Sequence, residues 1–225
     1  MIYFVIAMEC EARTVIDNMK DAAAGREHGF DVVRGTLCGT PVAVVTSGVG
    51  KVPAAAAAQM AVEAGAEAVV NVGVAGGLPS GMKPGDFFEA DAAIQYDFDL
   101  SALTGMPVGT LNGRTDPRLP LDTVGHCAAC TVATGDRFND SPEDHALITD
   151  TMKCGVRDME LGAVAQICER NSVPLYSLKC VSDVYGSGAT TSQFEENLSM
   201  CLKRLTAEIP AYFEKVKAKR SRKDV

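Results

Sequence analysis

The chain reads as an α/β protein: a three-layer α/β/α sandwich around a central mixed, mostly parallel sheet. Two observations predict it. Short runs rich in Val and Ile alternate with longer segments of helical periodicity along all 225 residues, the pattern of strands joined by crossover helices. The composition, 47% hydrophobic and 22% charged, supplies one substantial core. No internal repeat, low-complexity tract or linker divides the chain, so a single domain over residues 1–218 is expected, followed by a basic tail over 219–225.

The elements follow in order. A strand over 2–7 leads to a helix over 9–20. Strands over 30–37 and 41–46 flank the turn Gly39-Thr40 as a hairpin, and an Ala-rich helix over 53–65 carries Pro53 in its first turn. A buried strand over 68–73 is followed by another over 85–94. A polar, Pro-containing connection over 100–122 then reaches a strand over 129–133 and a helix over 143–152. The short strand 156–158 feeds a helix over 160–170, 174–181 is the last buried strand, and an amphipathic helix over 192–217 closes the chain.

Charge and composition narrow the function. A net charge of −8 and a pI near 4.9 lack the phosphate-neutralising surface that nucleic-acid binding needs, so a small-molecule substrate is expected. The concentrated basic stretch, 215–223, reads as a solvated helix end. The apolar opening 1–8 has no basic leader and is interrupted by Glu9 and Glu11, which fits neither a signal peptide nor a membrane span. Eight cysteines without a secretory leader read as reduced thiols in a cytoplasmic protein. Cys127 and Cys130 form a C-x-x-C after His126, but no second ligand pair accompanies them and the segment suits a buried strand. His28, His126 and His145 are far apart, so neither metal nor cofactor is expected.

In a sheet of this class ligands sit beyond the carboxyl ends of the strands. The exits at 8–11, 73–77, 157–160 and 182–183 are therefore where chemistry belongs. The run Ser47-Gly48-Val49-Gly50-Lys51-Val52 lacks the leading glycine and final hydroxyl of a P-loop, and Gly73-Val74-Ala75-Gly76-Gly77 is not a dinucleotide fingerprint. What the exits share is carboxylates: Glu11, Glu160 and Asp183. Each alone reads as a helix-start acid or a turn cap. Three converging on one cleft would repel one another, and chemistry is the reason to keep them.

Taken with Ala7-Met8-Glu9-Cys10-Glu11, Gly135-Asp136-Arg137-Phe138, Asp158-Met159-Glu160 and Val181-Ser182-Asp183-Val184, these blocks resemble the methylthioadenosine/S-adenosylhomocysteine nucleosidases. That family lies within the wider purine nucleoside phosphorylase-like group. The resemblance covers nearly the whole chain. It implies a nucleoside phosphorylase-like fold, a homodimer, no cofactor, and hydrolysis of the N-glycosidic bond of 5'-substituted adenine nucleosides. It implies that Glu11 is the base that activates water and Asp183 the acid that protonates adenine at N7. Glu160 and Met159 match the ribose grip, Phe138 the face on which adenine stacks, and Asn139 the main-chain contact to the purine edge. Gly76 and Ser182 fall beside the ligand, and Met8, Val49 and Phe194 match the lining for the 5' substituent. A carboxylate-rich cleft suits the positive charge that develops on the ribose as the base departs.

The sequence departs from the family where Val74 replaces a common Ser and Lys179 a common Arg, two positions associated with placing the water, and where Ile94-Gln95-Tyr96-Asp97 replaces Arg-Tyr-His-Asp. A futalosine-type or other purine nucleosidase, and a phosphorylase, are the alternative readings. A non-catalytic nucleoside binder would gain nothing from mutually repelling acids.

Overall fold

The computed structural model describes residues 1–78 and 81–223. Strands β1 (Ile2–Ile6), β2 (Lys20–Glu27), β3 (Phe30–Leu37), β4 (Thr40–Thr46), β5 (Ala68–Gly77), β6 (Phe87–Gln95), β7 (Leu119–Pro120), β8 (Ala128–Thr134), β9 (Val156–Asp158) and β10 (Leu175–Val184) form one mixed sheet. Helices α1 (Glu9–Ile16), α2 (Lys51–Glu63), α3 (Ser101–Thr104), α4 (Pro142–Ala146), α5 (Leu161–Arg170) and α6 (Thr190–Lys223) flank it, with one π-helical turn over Leu147–Thr151.

Parallel pairings join β4, β1, β5 and β10 in series, and β6, β8 and β9 beside them. Antiparallel contacts β10–β6 and β9–β5 then link these two groups into a closed ring, β5–β10–β6–β8–β9. Outside the ring, β4 extends through the hairpins to β3 and β2.

Two apolar layers sandwich the sheet. On one face α2 and α5 cover it through Ala54, Ala57, Ala58, Ala61, Val164 and Cys168. On the other, α1 and α6 pack Ala12, Val15, Leu205, Ile209 and Phe213 against Phe4, Val44, Val70 and Leu178. The apolar stripe of α2 is thus core within the chain, filled by small side chains that let the helix lie close to its neighbours.

Several boundaries differ from the sequence expectation. The first helix stops at Ile16, and residues from Lys20 form β2, an exposed edge strand whose Ala-rich, polar sequence has no alternating pattern to announce it. What makes it a strand is the turn: His28 and Gly29 both take positive φ, 49° and 90°, as a two-residue hairpin loop requires. Cys38 and Gly39, with φ of 49° and 73°, form the next turn, one residue before the expected Gly39-Thr40. The helix expected over 143–152 divides into α4 and the π turn. The closing helix continues to Lys223, so residues 219–223 of the expected tail are helical, and positions 224–225 lie outside the described residues.

Candidate active site

The strand exits meet at one cavity of about 470 Å³. Glu11 enters it from the first turn of α1. Its Oε2 accepts the Met8 N–H at 3.1 Å and its Oε1 accepts the Val74 N–H of β5 at 2.8 Å. The carboxylate lies so close to β5 that a Cβ on Gly73 would stand 2.6 Å from Oε1. Glycine is needed there because a side chain of this same chain occupies the space.

Three residues along, Gly76 does the same for a second group. A Cβ there would be 2.9 Å from Asp183 Oδ2 and 3.1 Å from Arg157 Nε. Asp183 lies where the β10–β5 register shifts, between Val181 and Asp183, and a bulge of this kind re-aims a side chain. Ser182 Oγ donates to its Oδ1 at 2.7 Å, whereas Oδ2 is buried with no hydrogen-bond partner.

Glu160, just before α5, accepts the Gly50 N–H at 2.8 Å. Beneath it Lys179 pairs with Asp158 at 2.8 Å. Asp158 also accepts from Thr134 Oγ1 at 2.6 Å and from the Leu161 N–H at 3.1 Å. The surrounding loops are tied together as well. Lys51 Nζ donates to Asp97 at 2.6 Å, the Asp136 N–H donates to Asp97 at 3.0 Å, and Gly135 sits where any Cβ would strike the Tyr96 ring.

Burial dominates the electrostatics. It pushes the Glu11 carboxyl above its ordinary range, opposed by the two backbone N–H groups and by Lys179. Glu160 is pushed up to about 7, first by burial and then by the charge of Asp158. Asp183 is raised by burial against the Ser182 hydroxyl and the Arg157 charge. Burial alone would depress Lys179, but Asp158, Glu160 and Glu11 reverse this and hold its ammonium charged. One interior cation thus offsets part of the negative charge without entering the cavity.

Of the residues singled out in the sequence, Met8, Glu11, Val49, Val74, Gly76, Phe138, Met159, Glu160, Ser182, Asp183 and Phe194 line this one cavity. Phe138, 52% exposed, stands at the mouth with its ring centroid 5.6 Å from that of Phe194, nearly edge-on. Two residues lie outside the lining. Lys179 is engaged with Asp158, and the Asn139 side chain turns to Asp144 and the Ser141 N–H, at 3.0 and 3.2 Å. The lining also includes Arg137, Arg157, Asp158, Thr191 and Glu195, to which sequence reasoning gave no role. The signal for Arg157 and Asp158 was their place at a strand exit; Thr191 and Glu195 carried none. Among the described residues no His, Cys, Asp and Glu side chains are grouped to hold a metal ion, and no helix is long and apolar enough to cross a membrane.

This geometry agrees with comparisons to known proteins. The sequence profile of the phosphorylase superfamily matches residues 2–214. A 5'-methylthioadenosine/S-adenosylhomocysteine nucleosidase of Bacillus thuringiensis (strain Al Hakam) is 29% identical over 225 residues, covering 94% of this chain and 97% of its own. Among solved structures, the nucleosidase of that name from Neisseria meningitidis, in complex with methylthio-immucillin-A, is 27% identical with a TM-score of 0.84, covering 96% of this chain and 98% of its own. The corresponding protein of Colwellia psychrerythraea 34H, in complex with adenine, is 25% identical with a TM-score of 0.87, covering 95% and 94%.

Proposed function

Because the chain belongs to the phosphorylase superfamily, we propose that it is a nucleosidase acting on 5'-substituted purine nucleosides, methylthioadenosine and S-adenosylhomocysteine among them. It hydrolyses the N-glycosidic bond and releases the base and the thio-ribose. The observation that carries this reading is the pair of buried carboxylates set against Gly73 and Gly76 of one strand. Both carboxylates line one cavity of about 470 Å³, which has room for a sugar and its attacking water.

Glu11, held by two N–H donors, is the base that takes the proton of the water. Asp183, its carboxyl raised by burial, presents its unpartnered Oδ2 to N7 of the departing purine. Glu160 grips the ribose hydroxyls, with Met159 beside it. Phe138 stacks on the base, and Met8, Val49 and Phe194 receive the 5' group. Asn139 contacts the purine edge through its main chain. Val74 adds no side-chain hydrogen bond to the water, and Lys179 acts on it through the charge it lends to Glu11 and Glu160.

Hydrolysis is favoured over phosphorolysis by charge. A phosphate beside Glu11 and Glu160 would need cations to offset it, and of the nearby cations Lys179 is committed to Asp158 and Arg137 to Asp144, while Arg157 lies beside Asp183 at Gly76. Free thiols at all eight cysteines support a reducing, cytoplasmic setting. Val52, 78% exposed on α2, and Val49, 52% exposed in the cavity lining, support a homodimer.

The test is product analysis with and without phosphate. Adenine and free thio-sugar should form from methylthioadenosine at the same rate in both. A strict phosphate requirement with sugar 1-phosphate as product would replace this reading with a phosphorylase.

A further inference from the structure

Arg157 has no part in the reaction as described, yet it stands in the cavity wall beside the proposed acid. It is only 8% exposed. Its Nη2 donates to Thr190 Oγ1 at 3.3 Å and lies 3.8 Å from an Asp140 oxygen. Its Nη1 is buried and has no hydrogen-bond partner, and the same is true of Asp183 Oδ2. Both side chains lie against Gly76: a Cβ there would stand 2.9 Å from Asp183 Oδ2 and 3.1 Å from Arg157 Nε, so the guanidinium and the carboxyl are neighbours in the cavity wall. A guanidinium N–H left unpaired in the interior is costly, and a ligand acceptor at that point recovers the loss.

We propose that Arg157 selects the base, and that the site takes 6-oxopurine nucleosides of the hypoxanthine type alongside 6-aminopurine nucleosides. The inference rests on Asp183 being the acid at N7. On the edge that carries N7, a 6-oxopurine presents two acceptors, N7 and O6, whereas adenine presents N7 and a donor, its 6-amino group. Arginine offers donors only. With Asp183 at N7, the substituent on C6 faces the neighbouring position on the wall, where Arg157 Nη1 meets an oxo group and opposes an amino group.

The reaction gains by the same contact. The C1'–N9 bond breaks, its electron pair passes into the purine, the Asp183 proton goes to N7, and the water oxygen bonds C1' as its proton moves to Glu11. In a 6-oxopurine the departing pair delocalises onto O6, and a guanidinium placed there stabilises that charge.

The experiment uses substrate pairs that differ only at C6: inosine against adenosine, and 5'-methylthioinosine against methylthioadenosine. Each is assayed with the wild type, Arg157→Leu and Arg157→Gln. The wild type should cleave the 6-oxo member of each pair at least as efficiently as the 6-amino member. Arg157→Leu should lower the ratio of kcat/KM for the 6-oxo member to that for the 6-amino member by about 10- to 100-fold. Arg157→Gln, whose amide both donates and accepts, should bring the two members within about threefold of each other, and it serves equally if the leucine variant does not fold. Equal losses on both members in the variants, or a wild type that cleaves 6-amino substrates alone, would overturn the proposal. If the wild type cleaves none of the four, the hydrolase reading fails instead. Calorimetry then decides the matter: hypoxanthine must bind the wild type at least about tenfold more tightly than the variants, and equal affinity overturns the selection by Arg157.

Discussion

Asp183 divides its two oxygens between tasks: Oδ1 is held by the Ser182 hydroxyl and Oδ2 is left buried and bare. A carboxyl in that state is either a loss of stability or a proton donor waiting for a base. Asp183→Asn distinguishes them, because the amide keeps the shape and a hydrogen bond but has no acidic proton. We expect kcat for methylthioadenosine to fall at least about 100-fold with adenine affinity, measured by calorimetry, nearly unchanged. More than about a tenth of wild-type turnover would remove Asp183 from the role of acid. The acids were legible in the sequence because each follows a buried strand, where an unpaired carboxylate needs a reason to be. The sequence marked Gly73 and Gly76 as part of a glycine-rich strand exit. In the fold each of the two glycines makes room for a carboxylate of the site itself.

At the scale of elements, α2 and α5 meet through small side chains, and Ala58 is fully buried at that contact. Ala58→Leu inserts three carbons into filled space and should destabilise by about 1–3 kcal/mol in urea unfolding. Ala56→Leu, on the exposed side of the same helix, should stay within about 0.5 kcal/mol. Equal effects at both positions would mean that α2 packs differently. The hydrophobic runs of β1, β4, β5 and β10 were readable because strands buried on both faces are nearly all apolar. By contrast, β2 was not. All eight of its residues are at least partly solvated, and it exists because β3 offers an edge and His28-Gly29 a tight turn. The π turn after α4 likewise has no signature in composition; it arises where Ile148 is drawn fully into the core.

Over the whole molecule, the site is a place where folding works against charge. Glu160 titrates at about 7 in the folded protein against 4.5 ordinarily. Between those values the folded state holds a proton that the unfolded state has released. Stability therefore falls as pH rises through that window, and Glu11 and Asp183, also raised, add to the same slope. Glu160→Gln should accordingly be more stable than wild type at pH 8, by ~1–3 kcal/mol in urea unfolding, and no more stable near pH 4, while losing activity. A variant no more stable at pH 8 would show that the neighbouring Lys179 already neutralises the carboxylate. The ring of β5, β10, β6, β8 and β9 has a separate consequence for the behaviour of the protein in concentrated solution. A ring has no terminal strand, so among the described residues the places where a foreign strand could zip on are β2 and the two-residue β7, which ends in Pro120. On β2 that invitation is declined by Lys20, Asp21 and Arg26, whose exposed charges would have to be stripped of water in a fibre, and by Glu27, which Arg34 of β3 already holds.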